Sequence, residues 1–511
     1  MARAVITLTA FTVAERVLGF LFKIYLSREI GAVGMGVYSV ALSFFFVLLT
    51  LLTSGVPLVV SKLTAKTSRT DSARLCSAAL IFETIVAIVV CAVVLLFNKP
   101  IGALFADGFS MTLVLLMLPA LLFSGVYSAF RGVLWGEKKF ATVSVVELIE
   151  QVARIAVCVV LFSLFTDKTK AVATSMTGAC LISAIACAIF YFAGGRKLKS
   201  PKTQFKPLIS SSVPITLSRT TSSVNNYVIA IAVPFLLMSS GLNTDQSMYI
   251  YGSCVGMSLP LLYLPITVVG SLAFVMIPTL SQAYAENDKA SMQKQIENAL
   301  TFSLVIAAIV LPVYASLGDD LGTFIYNNTD AGIFLKKSAW LLIPLSFENI
   351  ASSMLNSLDL EKKSLINYLI GAGVMYVISF AFYSRFTIDV FMIAFGISLI
   401  VSSVLDVIDI KRRTGFKLTF VKPAVICLSG FFPAYMLCEY LSSLIPYALL
   451  SMFVSAAGGC AFMTLNAVIF GAIKIGNTEA AASEKKSAKR FAFLSRKRAR
   501  TDKNVKINRA S

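Results

Sequence analysis

The 511-residue chain is 57% hydrophobic and only 14% charged, with mean hydropathy +0.82 and a formal net charge of +19. Soluble domains carry about 25% charged residues, so composition excludes an ordinary soluble fold. The absence of any histidine excludes a histidine-based metal site or proton relay.

A bilayer core about 30 Å thick takes about 20 apolar residues per helix. By that measure the chain predicts about fourteen spans: roughly 5–27, 37–60, 75–97, 111–134, 142–165, 171–193, 208–238, 248–281, 296–317, 334–357, 364–386, 388–410, 418–441 and 447–473. The runs are continuous rather than alternating, which selects helices over a β-barrel. The fold class is therefore an all-α polytopic membrane protein, with gaps too short for a soluble domain. The first span carries Glu15, Arg16 and Lys23 and lacks a basic leader and a small-residue cleavage site. It reads as a retained span, not a signal peptide. The nine cysteines fall mostly within spans and show no C-x-x-C, so they read as small apolar fillers. No metal site and no cofactor are expected.

Basic residues cluster in alternate loops. Examples are Lys62, Lys66, Arg69 and Arg74, then Lys138 and Lys139, then Arg196, Lys197, Lys199, Lys202 and Lys206, and later Lys362 and Lys363. The positive-inside rule puts these loops and both termini in the cytoplasm. The tail carries Lys485, Lys486, Lys489, Arg490 and the run Arg496 to Arg500. It reads as a disordered cytoplasmic segment attracted to anionic headgroups, at about 1 kcal/mol per basic residue, rather than as a nucleic-acid patch.

Two local matches recur at nearly one offset. Ser61-Lys62-Leu63-Thr64-Ala65 echoes Ser281-Gln282-Ala283-Tyr284-Ala285, and Trp135-Gly136-Glu137-Lys138-Lys139 echoes Asp359-Leu360-Glu361-Lys362-Lys363. An odd number of helices per half would invert the second half, so the expected plan is two pseudo-symmetric six-helix bundles plus two C-terminal helices. The boundaries are 1–193 for the N-terminal bundle, 194–207 for a basic linker, 208–417 for the C-terminal bundle, 418–473 for two further spans and 474–511 for the tail. Parallel repeats place a substrate cavity between the bundles.

Arg131-Gly132-Val133-Leu134-Trp135-Gly136, followed by Ser144, Glu147, Glu150-Gln151 and Arg154, resembles the R-G-x-x-x-G…S-x-x-x-E-Q-x-x-R pattern of stage V sporulation protein B-like transporters. Tyr251-Gly252, Gly256-Met257, Leu259-Pro260-Leu261-Leu262, Leu264-Pro265 and Pro278-x-x-Ser281 look like the matching signature of the second bundle. That family lies in the multidrug/oligosaccharidyl-lipid/polysaccharide exporter superfamily. Arg16-Val17-Leu18-Gly19-Phe20 is also similar to the first span of lipid II flippases, with Phe22 and Lys23 replacing an R-D pair. The resemblance implies a plasma-membrane flippase that moves undecaprenyl-linked saccharides outward by alternating access, driven by an ion gradient or the membrane potential.

A diphosphate-linked lipid needs fixed cations in a wet, protein-lined cavity. The candidates are Arg16 and Lys23, seven residues apart on one helix face, and Arg219, with Ser222, Ser223 and Asn226 near it. Glu147, Glu150 and Arg154 form a charged stripe that cannot face lipid. It is a cavity wall, or an internal pair from Glu150 to Arg154. Glu348 and Glu83 are candidate ion-coupling carboxylates. Asp406 and Asp409 read as solvated helix-end charges. Gly252, Gly256, Pro260 and Pro265 mark a candidate bending element, or a site of close helix packing. Expected partners are the lipid-linked saccharide, anionic lipids at the tail and cell-wall synthesis enzymes, with no nucleic acid. Two rival readings remain open: a multidrug/cation antiporter of the same superfamily, and a membrane scaffold for cell-wall enzymes. No Walker motif and no nucleophile–base constellation appears, which argues against an enzyme.

Overall fold

Long uninterrupted apolar runs satisfy their backbone internally only as helices. A computed structural model describes residues 2–201, 204–417 and 421–472, and no strand occurs among them. The basic tail at 474–511 and Lys202 of the linker lie outside the described residues.

Helix α1 (Ala2–Thr53) runs through both of the first two predicted spans. A straight 52-residue helix would be about 78 Å long, far beyond a bilayer core. Gly31 divides it, at φ 65° and ψ −176°, backbone that a side chain would strain. Next come α2 (Val56–Thr64) and α3 (Arg69–Leu96), the latter capped by Ser68, which accepts from the Asp71 amide. The short α4 (Asn98–Gly102) precedes α5 (Ser110–Gly136), α6 (Phe140–Leu164) and α7 (Lys168–Ala193). Helix α5 packs on α2, α3 and α7, and α6 packs on α7 and α1.

The second set begins with α8 (Phe205–Ser239) and α9 (Thr244–Tyr251), opened by a capping box between Asn243 and Gln246. A π-helical turn, Gly252–Ser258, leads into α10 (Leu259–Ala285). Then follow α11 (Lys289–Tyr326), α12 (Thr329–Ser338), α13 (Leu342–Ser357), α14 (Glu361–Ala381) and α15 (Ile388–Thr414). The last two helices, α16 (Val421–Leu444) and α17 (Ala448–Ile469), pack on each other and on α11.

Eleven helices among the described residues are long and apolar enough to cross a membrane, against about fourteen predicted spans. Three features account for the difference. The first two predicted spans are two helical segments that meet at the non-helical Gly31 without an intervening loop and so count as one. Helix α6 is long enough but carries Glu147, Glu150 and Arg154 together. The tenth predicted span is broken into α12, a 3-10 turn and the 16-residue α13.

The repeated turns have the same backbone. At the end of α5 the Lys139 amide donates to Leu134 O at 2.9 Å, with Lys138 at φ 63°. At the end of α13 the Leu360 amide donates to Leu355 O at 2.9 Å, with Asp359 at φ 58°. Both are Schellman closures around a left-handed residue. Ser281 Oγ donates to Ser357 O at 2.7 Å, while in the first half Gly136 lies against Ser61 and Thr64.

Beside the first of these turns, Arg196 Nε donates to Glu137 Oε1 at 2.9 Å and a second guanidinium nitrogen holds Oε2. Arg196 also donates to Tyr191 O at 3.0 Å, fastening the linker to α5 and α7. This hydrogen bonding holds the Glu137 carboxyl below its ordinary range. A depressed carboxyl stabilises the fold above its unfolded value, near 4.3, and that contribution is lost as pH falls through the lower folded value. Glu137→Gln, which leaves a nearly buried Arg196 uncompensated, is expected to cost about 2–3 kcal/mol. Thermal unfolding in detergent should show that deficit constant from pH 7 to 5 and shrinking only in stronger acid.

Candidate functional site

The two sets of helices meet mainly through α1, which packs on α8, α9 and the π-helical turn. The approach is closest at two glycines. A Cβ on Gly252 would lie 1.8 Å from the Ala32 carbonyl oxygen, and one on Gly36 would lie 2.2 Å from Met248 O. Gly256 faces Met35 and Ser39. This backbone-on-backbone contact seals the interface at the end next to the Gly31 bend. Arg28 reinforces it by donating to Ile325 O at 2.9 Å and to Phe324 O, carbonyls in the last turn of α11. Such carbonyls lack helical partners and favour a cation. Pro260 and Pro265 fall in the first two turns of α10, just after the π-helical turn.

A cavity of about 930 Å³ opens among α8, α10, α13, α14 and α15. Arg219 and Asn226 line it from α8, and Glu348 from α13. Asn225 anchors one wall: its Nδ2 donates to the Tyr368 hydroxyl at 2.8 Å, and its Oδ1 accepts from the Tyr376 hydroxyl at 2.8 Å. Lys362, from the repeated basic turn, also lines the cavity. Arg219 and Glu348 make no ion pair among the described residues.

Asp406 corrects the sequence reading. It is 2% exposed, not solvated, and accepts from Asn367 Nδ2 at 2.8 Å. Asn367 also donates to Asp409 at 3.2 Å, and Asp409 pairs with Lys363 at 2.8 Å. Asp406 lies within electrostatic reach of Glu348. Its distance from Glu348 in the chain hid that pairing, which depends on how α13 packs on α15.

The other candidates lie elsewhere. On α6, Arg154 pairs with Glu150 at 2.6 Å, and Glu147 accepts from Arg131 at 3.5 Å and from the Tyr127 hydroxyl at 3.3 Å. Glu15 on α1 is within electrostatic reach of Glu150, Arg154, Arg16 and Arg131. Arg131 lies over Trp135 at 4.3 Å. The charged stripe is thus part of a half-buried network joining α1, α5 and α6. Glu83 is 0% exposed between α3 and α5, with one carboxyl oxygen accepting from Ser128 at 2.7 Å and the other unpartnered.

Arg16 and Lys23 are exposed, Arg16 beside Val13 at the edge of the face that Val13, Val17 and Leu21 present outward and Lys23 turned further from it. At about 100° per residue, Lys23 points roughly 120° away from Val17. Neither cation has an ion-pair partner among the described residues, and neither lines the cavity of the second set.

The fold and this arrangement define an all-helical polytopic membrane protein, with eleven membrane-length apolar helices among the described residues and the fold of the flippase and transporter structures named next. The structure is similar to one titled lipid II flippase MurJ, inward closed conformation, at TM-score 0.72 and 16% identity over 91% of this chain and 98% of that one. It is also similar to an inward-facing multidrug resistance MATE family transporter, at TM-score 0.67 and 14% identity over 81% and 98%. The model of the family described as polysaccharide biosynthesis protein matches residues 1–284, and the chain belongs to that family. Stage V sporulation protein B of Bacillus subtilis (strain 168) is 25% identical over 402 residues, 74% of this chain and 77% of that protein. Lipid II flippase MurJ of the same organism is 20% identical over 468 residues, 84% and 86% respectively.

Proposed function

We propose that the protein flips an undecaprenyl-linked saccharide across the plasma membrane by alternating access, with both termini in the cytoplasm. The observation that carries this reading is the set of three cations, Arg16, Lys23 and Arg219, that are exposed on membrane-length helices and lack ion-pair partners among the described residues. Fixed charge at membrane depth is costly and is retained where it meets a ligand. A diphosphate is the matching ligand, because guanidinium and ammonium donors bind its oxygens by charge-assisted hydrogen bonds. In this scheme residues 1–193 and 208–417 are the two moving bundles, 194–207 joins them and 418–473 adds two flanking spans. The headgroup enters between the bundles while the polyprenyl chain stays in lipid. Opening of the Gly36–Gly252 contact then releases it on the other side. Glu348, with Asp406 behind it, is the coupling group in the second bundle, and Glu83 is a further candidate. Gly252, Gly256, Pro260 and Pro265 form the element that gives way.

Reconstituted full-length protein should carry a fluorescent undecaprenyl-diphosphate saccharide between leaflets of proteoliposomes, read by quenching from outside. Absence of flipping in folded protein, together with extrusion of a lipophilic cation, would overturn the proposal. That outcome would favour the antiporter reading, which the paired carboxylates Glu348 and Asp406 support. Glu348→Gln should leave substrate binding near wild type and abolish the response of transport to an imposed ion gradient. Transport that still follows the gradient would remove Glu348 from the coupling role.

A further inference from the structure

A second recess, of about 230 Å³, lies at the basic end of the first bundle, remote from the cavity of the second. Its wall is formed by the first turns of α3, the end of α5, Tyr191 of α7 and the linker from Gly195 to Lys199. Four cations line it, Arg69, Arg196, Lys197 and Lys199, against one carboxylate, Glu137. Arg196 takes up that carboxylate fully. Arg69 donates only to a neutral acceptor, Gly194 O, and Lys197 and Lys199 have no ion-pair partner among the described residues. Four cations against one carboxylate leave the recess with an excess of three positive charges.

The recess is held in shape rather than left as loose surface. The Lys199 amide donates to Ser77 Oγ at 3.2 Å, and Arg69 clasps Gly194, so the linker is laid across the start of α3. The 28-residue α3 also directs its N-terminal dipole toward this end. Tyr191, on its wall, is 0% exposed, and its hydroxyl has no oxygen or nitrogen hydrogen-bond partner among the described residues.

We propose that this recess binds a phosphate group, supplied either by the headgroup of an anionic lipid or by a soluble phosphorylated molecule. Clustered guanidinium and ammonium donors beside a helix N-terminus match tetrahedral oxyanions, and basic pockets at helix ends take anionic headgroups. The ligand would pin the start of the segment that joins the two bundles, so its occupancy bears on how freely they rock. The inference stands on this recess alone and is independent of the transported substrate.

The test uses full-length protein in phosphatidylcholine nanodiscs, with thermal unfolding followed during titration. The probes are inorganic phosphate, glycerol 3-phosphate and discs doped with phosphatidylglycerol. Three proteins are compared: wild type, Arg69→Gln/Lys197→Gln/Lys199→Gln, and a control with the same charge loss at exposed lysines of the second set, Lys289→Gln/Lys294→Gln/Lys411→Gln. Wild type and control should be stabilised in parallel, and the recess variant should need at least about tenfold more anion. Response to glycerol 3-phosphate in neutral discs identifies a soluble ligand, and response to phosphatidylglycerol alone identifies a lipid. Equal responses in all three proteins, or none, would overturn the site. If the triple variant does not fold, Lys197→Gln/Lys199→Gln, both exposed, carries the same comparison.

Discussion

Gly252→Ala is expected to break the seal between the two bundles. The added methyl would sit 1.8 Å from the Ala32 carbonyl oxygen, and that atom is backbone of a buried helix, not a movable side-chain tip. Overpacking of this kind costs about 1–3 kcal/mol, and about 1.4 kcal/mol shifts a two-state equilibrium tenfold. The sealed arrangement bears that cost and a separated one does not, so the balance moves toward separation. Cys254 reports the change directly. It is 4% exposed, two residues along the π-helical turn. A membrane-impermeant maleimide should leave Cys254 unmodified in wild type and label it in the variant, read by mass spectrometry of that peptide. Flipping should fall as well, because a transporter biased to one state cycles slowly. A Cys254 that stays protected would mean that α1 yields without opening, and the contact would then be packing alone.

The largest effect on transport is expected from Arg16→Ala/Lys23→Ala/Arg219→Ala. Hydrogen bonds to charged groups contribute about 1.5–3 kcal/mol each, so losing three should slow flipping of the diphosphate lipid by more than about 100-fold. None of the three has an ion-pair partner among the described residues, so the melting temperature should stay within about 3 °C of wild type. That pairing of lost transport with kept stability separates a binding role from a structural one. Lys23→Arg, which keeps the charge, should retain most activity. Undiminished flipping by the triple variant would remove the cation clamp and leave the proposed substrate to other groups.

Much of the architecture is legible along the chain because helices in lipid must satisfy their own backbone. The helices fall where the apolar runs are, and the basic turns at Lys138 and Asp359 close with the same hydrogen bonds. The site is less legible. Arg219, Asn226 and Glu348 do share one cavity, as a polar helix face at membrane depth implies. Glu147, Glu150 and Arg154 share a helix face as their spacing requires, but whether a face meets water or another helix depends on its neighbour. Here the neighbours are Glu15 and Arg131, from helices far away in sequence.

Composition, hydropathy and charge by themselves determined the class and the helical architecture, and the resemblance of short motifs pointed to the family, because each of these depends on local runs of residues. Only the tertiary structure decided three further things. It set Gly252 against Ala32, a contact between backbones 220 residues apart. It buried Asp406 beside Asn367, where position along the helix pointed to solvent. It gathered Arg69, Lys197 and Lys199 around one recess, three charges that in sequence are two separate basic loops. In each case the deciding quantity is the distance between groups on different helices. Packing sets that distance, and no periodicity encodes it.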